Sequence, residues 1–241
     1  MDMPKSQVTL PSSRWDILWY LLAGYVLYVA LITAFTATGV ISTQVWIILQ
    51  PALLLICLFG ATWLVGERRR RFTWADLGLI PFRWQRAWLR WVIVASVLLT
   101  LYSLLMALLI TWIRHGNISG LADIGAPLGL AAWSNLALLW LGTAFLAPLA
   151  EEIFFRGAVY AWFEQRFGPW PAIVGSAAMF AITRATFFDT SSPFSALQSL
   201  GLGLVLAWLM RKTRSLWVPI AVHILVRSLS LFVPMFLGSW F

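Results

Sequence analysis

The chain alternates between long apolar runs and short breaks that carry most of its basic residues. Seven runs stand out, at Trp15–Ala37, Thr43–Val65, Ala87–Ile113, Leu128–Phe167, Trp170–Phe188, Phe194–Met210 and Leu216–Leu237. Each approaches or exceeds the ~20 residues that a helix needs to cross ~30 Å of hydrocarbon. The pattern predicts an all-α, polytopic membrane helix bundle with about seven transmembrane helices. The fourth run has about twice the length a span requires. It reads either as one long tilted helix bent at Pro148, or as a short element feeding a second helix.

Composition agrees with this reading. Of 241 residues, 61% are hydrophobic and only 11% are charged, against about 25% charged in a soluble domain. No stretch is left over for a soluble domain, so the chain reads as one integral domain. The polar segment Met1–Arg14 is short, and the run after it exceeds the 7–15 residues of a signal-peptide core. It is read as a retained first helix. The single cysteine, Cys57, lies in an apolar run. It excludes an intrachain disulfide and reads as a small buried hydrophobe.

The net charge of +8 matters through its placement. With the N-terminus in the cytoplasm, that side holds Lys5, Arg14, Arg68, Arg69, Arg70, Arg71, Arg83, Arg86 and Arg90. Arg156, Arg166, Arg211, Lys212 and Arg214 fall on the same side, making fourteen of the 17 basic residues. This asymmetry predicts an N-in, C-out topology. Arg68–Arg71 reads as an anchor at anionic lipid, and no nucleic-acid partner is expected. In the segment Phe72–Arg90 and just beyond it, Trp74, Trp84, Trp88 and Trp91 are expected at headgroup level.

Charge inside the fourth run needs a reason, because intramembrane ionisable residues are costly and usually paired or functional. Glu151, Glu152 and Arg156 lie there. Glu152 and Arg156 are four residues apart, so a helix puts them on one face, suited to an ion pair. Glu151 is turned by about 100° from its neighbour and points elsewhere. Arg184 and the pair His223 and Arg227 fall at similar depth in the fifth and seventh runs, about 20 Å from the cytoplasmic edge at 1.5 Å per residue. Residue types alone leave two readings open, a structural ion-pair cluster or a reactive site. His115 and His223 are the only histidines, and His115 is expected in an outer loop. Too few nitrogen or sulfur ligands remain for zinc, so no metal and no cofactor are expected.

The stretch Ala147-Pro148-Leu149-Ala150-Glu151-Glu152-Ile153-Phe154-Phe155-Arg156-Gly157 resembles the first signature of the CPBP family. These are the CAAX proteases and bacteriocin-processing enzymes, also called Abi. Three further features carry the resemblance. Phe180 opens a segment like the family's F-x-x-x-H. The helix from Ser199 to Met210 carries Gly201 and Gly203. Thr213 to His223 is similar to the last signature, which ends H-x-x-x-N. The resemblance spans roughly residues 130–235. It divides the chain into variable N-terminal helices with a basic cytoplasmic loop, 1–127, and CPBP-like core helices, 128–241.

The family implies a helix bundle around a cavity open to lipid, and a glutamate-type intramembrane endopeptidase. Carried over, Glu151 would be the general base that activates water, supported by Glu152 and Arg156. His223 would help stabilise the oxyanion. A carboxylate in a dry cavity can act as a base, and donors aimed at the oxyanion lower the barrier. The chain departs from the pattern at Arg184, where the family has His, and at Arg227, where it has Asn. Arginine accepts no proton, and pairing with Glu151 would weaken that carboxylate as a base. Two arginines against two glutamates also suit a charge-compensated structural cluster.

The expected function is therefore a CAAX-protease-like intramembrane endopeptidase with an altered site. The alternative is a non-catalytic scaffold, assembly factor or binding subunit of a membrane complex. A transporter is disfavoured, because no paired helix breakers mark two corresponding halves. Expected partners are membrane lipids and a membrane-associated peptide or protein. A bacterial inner membrane suits such a chain.

Overall fold

The structure is a computed structural model. It describes residues 19, 22–39, 43–64, 74–75, 77–81, 85–115, 133–187 and 193–238. Lys5, Arg14, Arg68–Arg71, Arg83 and Trp84 lie outside the described residues, and with them part of the basis of the topology expectation. Among the described residues every regular element is helical, and the elements form seven rods. We number them α1 (the π-helical turn Leu22–Val26 running into Leu27–Ala37), α2 (Thr43–Thr62) and α3 (Arg86–His115). They continue as α4 (Trp133–Leu139 through Tyr160–Phe167), α5 (Pro169–Phe187), α6 (Pro193–Thr213) and α7 (Trp217–Gly238).

The fourth apolar run forms one rod, not two. Pro148 has no amide hydrogen to donate and would disturb an ordinary α-helix. Here Trp140–Leu146 winds as a π-helix just before it, and the Ala147 amide bonds five residues back to Gly142 O. A second π segment, Ile153–Val159, follows the two glutamates and holds Arg156. Such widened turns shift the faces of a helix and are frequent at functional sites. The rod ends at Gly168, whose φ of 85° suits a residue without a Cβ.

Helix α4 packs against α2, α5, α6 and α7, which makes it the axis of the bundle. Close approach to α2 is possible because residue 142 is glycine. A Cβ there would lie 2.6 Å from Ile47 O and 2.8 Å from Pro51 Cγ. Around α4 lies an aromatic core in which Tyr25 meets Phe154 at 5.8 Å and Phe155 at 5.9 Å between ring centroids. The α6–α7 turn is clasped to residues 77–81. Leu216 N–H donates to Gly78 O at 3.0 Å, and Trp217 Nε1–H donates to Ile80 O at 2.8 Å.

The outer surface is apolar where water would demand polarity. On α3, Ile93, Val97, Leu98, Leu101 and Leu105 are all more than half exposed. Patches of this extent mark contact with lipid or protein. Three helical stretches among the described residues are long and apolar enough to cross a bilayer: Val45–Thr62, Arg86–Ile113 and Leu136–Phe167. Ala23–Ala37 and Trp217–Phe232 are shorter apolar helices. Helices α5 and α6 are not in either group. Their turns carry Ser176, Thr183, Arg184, Gln198 and several glycines, which lower hydropathy where a helix faces protein. One expectation is refined and another corrected. Trp88 is turned into the core, 5% exposed, so its ring packs on protein and not on lipid. His115 is the last residue of α3, not part of a loop.

Candidate active site

Glu151 and Glu152 are neighbours on α4 that serve two different sets of partners. Glu151, Glu152, Arg156 and His223 are all fully buried, so each charge must find its partner within the protein. Arg156 Nη1 lies 3.0 Å from Glu152 Oε1. His223 Nδ1 lies 2.8 Å from the same oxygen. A carboxylate oxygen accepts, so the imidazole places its proton on Nδ1 and leaves the Nε2 lone pair free. Arg156 also donates from Nη2 to Gly203 O at 3.2 Å, which ties α4 to α6.

Glu151 turns to α5. Arg184 Nη1 donates to Glu151 Oε1 at 2.8 Å, within the range of a charge-assisted bond. Arg184 is the site's link to the outside, with its side chain 20% exposed against 1% for Glu151. The other carboxylate oxygen, Glu151 Oε2, points toward α7 and lies 3.8 Å from His223 Nε2. Both atoms are buried and neither has a hydrogen-bond partner among the described residues.

Phe180 fills the space between these groups. Its ring lies 4.7 Å beneath the Arg156 guanidinium carbon and meets the His223 ring edge-on at 6.0 Å. The cation is thus held over an aromatic face, which also shields it from water. Arg227 sits one turn beyond His223 on α7, close enough to feel the charges of Arg184 and Glu151. It makes no hydrogen bond or ion pair of its own among the described residues. The structure therefore brings Glu151, Glu152, Arg156, Phe180, Arg184 and His223 into one contact network, with Arg227 at its edge.

Two contributors, Tyr25 and Tyr28, were not singled out from the sequence, and Gly203 was singled out only as part of a glycine-bearing helix. Gly203 supplies its carbonyl to Arg156, and a Cβ there would lie 3.1 Å from Ala177. Tyr25 and Tyr28, from α1, lie within electrostatic reach of Glu151 and Arg184. The signal for the tyrosines was present as two buried hydroxyls three residues apart in an otherwise apolar helix. Nothing in the sequence marked Gly203 as an acceptor, because a backbone carbonyl carries no residue signature. Among the described residues no group of three or more His, Cys, Asp or Glu is placed to hold a metal ion.

Chemically, the arrangement offers a buried carboxylate oxygen and a buried imidazole nitrogen, both acceptors, facing one another. Two acceptors at this separation repel unless a donor bridges them, and a water molecule spans such a gap with two bonds of about 2.8 Å. Guanidinium groups stand on the adjoining side.

No curated protein and no solved structure matches the chain. Residues 133–229 match the family model for type II CAAX prenyl endopeptidases, Rce1-like. The matched span holds every ionisable group of the site outside α1. Together with the apolar helices it marks an integral membrane protein, and over the matched span the chain is similar to the CPBP/CAAX protease family.

Proposed function

We propose that the chain is a glutamate-type intramembrane endopeptidase of the bacterial inner membrane, oriented N-in and C-out, acting on membrane-associated peptides. One observation carries this reading. Glu151 Oε2 and His223 Nε2 face each other at 3.8 Å, buried and unpaired. A water donating to both oxygen and nitrogen is held with its own lone pairs directed away, toward an incoming carbonyl carbon.

The rest of the network serves that pair. Arg184 fixes Oε1 and so fixes where Oε2 points. Glu152 holds Nδ1 and so fixes the tautomer that leaves Nε2 an acceptor. In the reaction, Glu151 takes a proton from water, and the oxygen attacks the peptide carbonyl. Negative charge develops on the carbonyl oxygen, where Arg227 is the available donor. The C–N bond then breaks as Glu151 returns the proton to the leaving nitrogen. The products are one carboxyl and one amine terminus, with water consumed.

The Arg184–Glu151 pair favours a second reading, in which the site is charge-compensated and the protein is a non-catalytic scaffold or assembly subunit of a membrane complex. The two readings part in one assay. Purified protein in detergent is incubated with membrane-associated peptides, beside Glu151→Ala. Cleavage that disappears in the variant supports the endopeptidase. Absence of cleavage in both, with a partner recovered by affinity purification from native membranes, supports the scaffold.

A further inference from the structure

Away from the site, α3 and α6 enclose an apolar groove of about 550 Å³. Its walls include Trp91, Leu98 and Tyr102 from α3, and Gly201, Leu204 and Trp208 from α6. We propose that this groove binds one anionic phospholipid, with an acyl chain along the groove and the phosphate at its basic end.

The dimensions fit one leaflet. The two helices run antiparallel past each other. Trp91 meets Trp208 at 5.1 Å between centroids, and Tyr102 Oη donates to Leu197 O at 2.9 Å. Eleven residues separate these two crossings on each helix, or about 16 Å at 1.5 Å per residue. That is about half of the ~30 Å hydrocarbon core. The far end is stopped. The Tyr102 ring presses on Gly201 so closely that a Cβ there would lie 2.7 Å from it.

Among the described residues, the basic side chains that flank the groove lie at the other end. On α6, Arg211 and Lys212 continue the groove face one turn past Trp208. On α3, Arg90 adjoins Trp91, and Arg86 is one turn before it. Arg86, Arg90 and Lys212 are exposed. Arg211 lies over the Trp170 ring at 4.5 Å. The described carboxylate at this end, Glu164, is already held by Arg214 at 2.7 Å. An apolar slot one leaflet deep, flanked by two tryptophans and opening on surplus cations, matches a phosphate headgroup above an acyl chain.

The test uses the full chain in mild detergent, with native mass spectrometry after exposure to phosphatidylglycerol or to phosphatidylcholine of identical chains. Inorganic phosphate alone and a neutral long-chain alcohol alone separate headgroup from tail. Expected is retention of one phosphatidylglycerol, at least tenfold tighter than phosphatidylcholine, and no retention of phosphate by itself. Val205→Trp fills the groove and abolishes retention. Leu98→Trp does the same from the opposite wall, at a position 62% exposed where the larger ring is tolerated. Arg90→Glu with Lys212→Glu removes the preference for the anionic lipid and keeps chain binding. Leu109→Trp, on the same helix and outside the groove, leaves retention unchanged. Equal retention of both lipids, or undiminished retention in both tryptophan groove variants, overturns the proposal.

Discussion

Arg184 donates to one oxygen of Glu151 at 2.8 Å, while the other oxygen of that carboxylate faces His223 Nε2 at 3.8 Å without a bond. The carboxylate is therefore half committed. One lone-pair face is spent on an arginine where the family has a histidine, and the other is kept toward the imidazole. In the endopeptidase reading proposed above, that second oxygen is the one that takes the proton from water.

Glu151→Gln tests that division. The amide oxygen can still accept from Arg184, so the α4–α5 link persists. The amide cannot take a proton from water. Peptide cleavage should fall by about 10²–10⁴-fold, the usual contribution of a general base. The thermal unfolding midpoint in detergent should stay near the parent's. A variant that cleaves at the parental rate would remove Glu151 from the mechanism.

Arg184→His should act in the opposite direction. It releases Glu151 Oε1 from a charge-assisted bond and supplies a group that can accept a proton. Breaking such a bond is worth about 1.5–3 kcal/mol, and each 1.36 kcal/mol is tenfold in rate. A gain of about tenfold in kcat is expected, read in the same peptide assay. A loss instead would show that Arg184 positions the carboxylate more than it restrains it.

Much of this was legible beforehand, and the failures are specific. The apolar runs gave seven helices, because hydrocarbon thickness sets run length directly. The i to i+4 spacing of Glu152 and Arg156 gave their ion pair, since helical periodicity survives even the π segment between them. Arg184 was legible as a departure from a motif. Its bond to Glu151 was not, since contact between helices depends on rotation and tilt. The inward turn of the Trp88 ring was not legible, since a tryptophan beside arginines does not show which face of α3 it takes. The π turn before Pro148 had no sequence sign beyond the proline itself.

The Glu152–Arg156 pair should matter for folding more than for chemistry. Both side chains are fully buried. Arg156→Ala leaves a carboxylate without its cation and empties the space over the Phe180 ring. Removing one partner of a buried pair destabilises by about 3–5 kcal/mol. Loss of monodisperse protein, or a strongly lowered unfolding midpoint, is the expected outcome. Arg214→Ala is the control. That arginine is 61% exposed in its pair with Glu164, and surface pairs are worth about 0–1 kcal/mol. Its unfolding midpoint should barely move.

Gly203 joins packing to the site, and its substitution should show both effects. A Cβ at that position would lie 3.1 Å from Ala177 Cα and Cβ and 3.3 Å from Ala177 O, so a side chain must push α6 away from α5. Overpacking of this kind costs about 1–3 kcal/mol. The same displacement carries away the carbonyl that accepts from Arg156 at 3.2 Å. Gly203→Val should therefore lower the unfolding midpoint and also loosen Arg156. Combined with Arg156→Met, the two losses should not add, because the second change removes a bond that the first has already strained. Strict additivity in a double-mutant cycle would mean that α6 moves without disturbing the arginine, and that Gly203 serves packing alone.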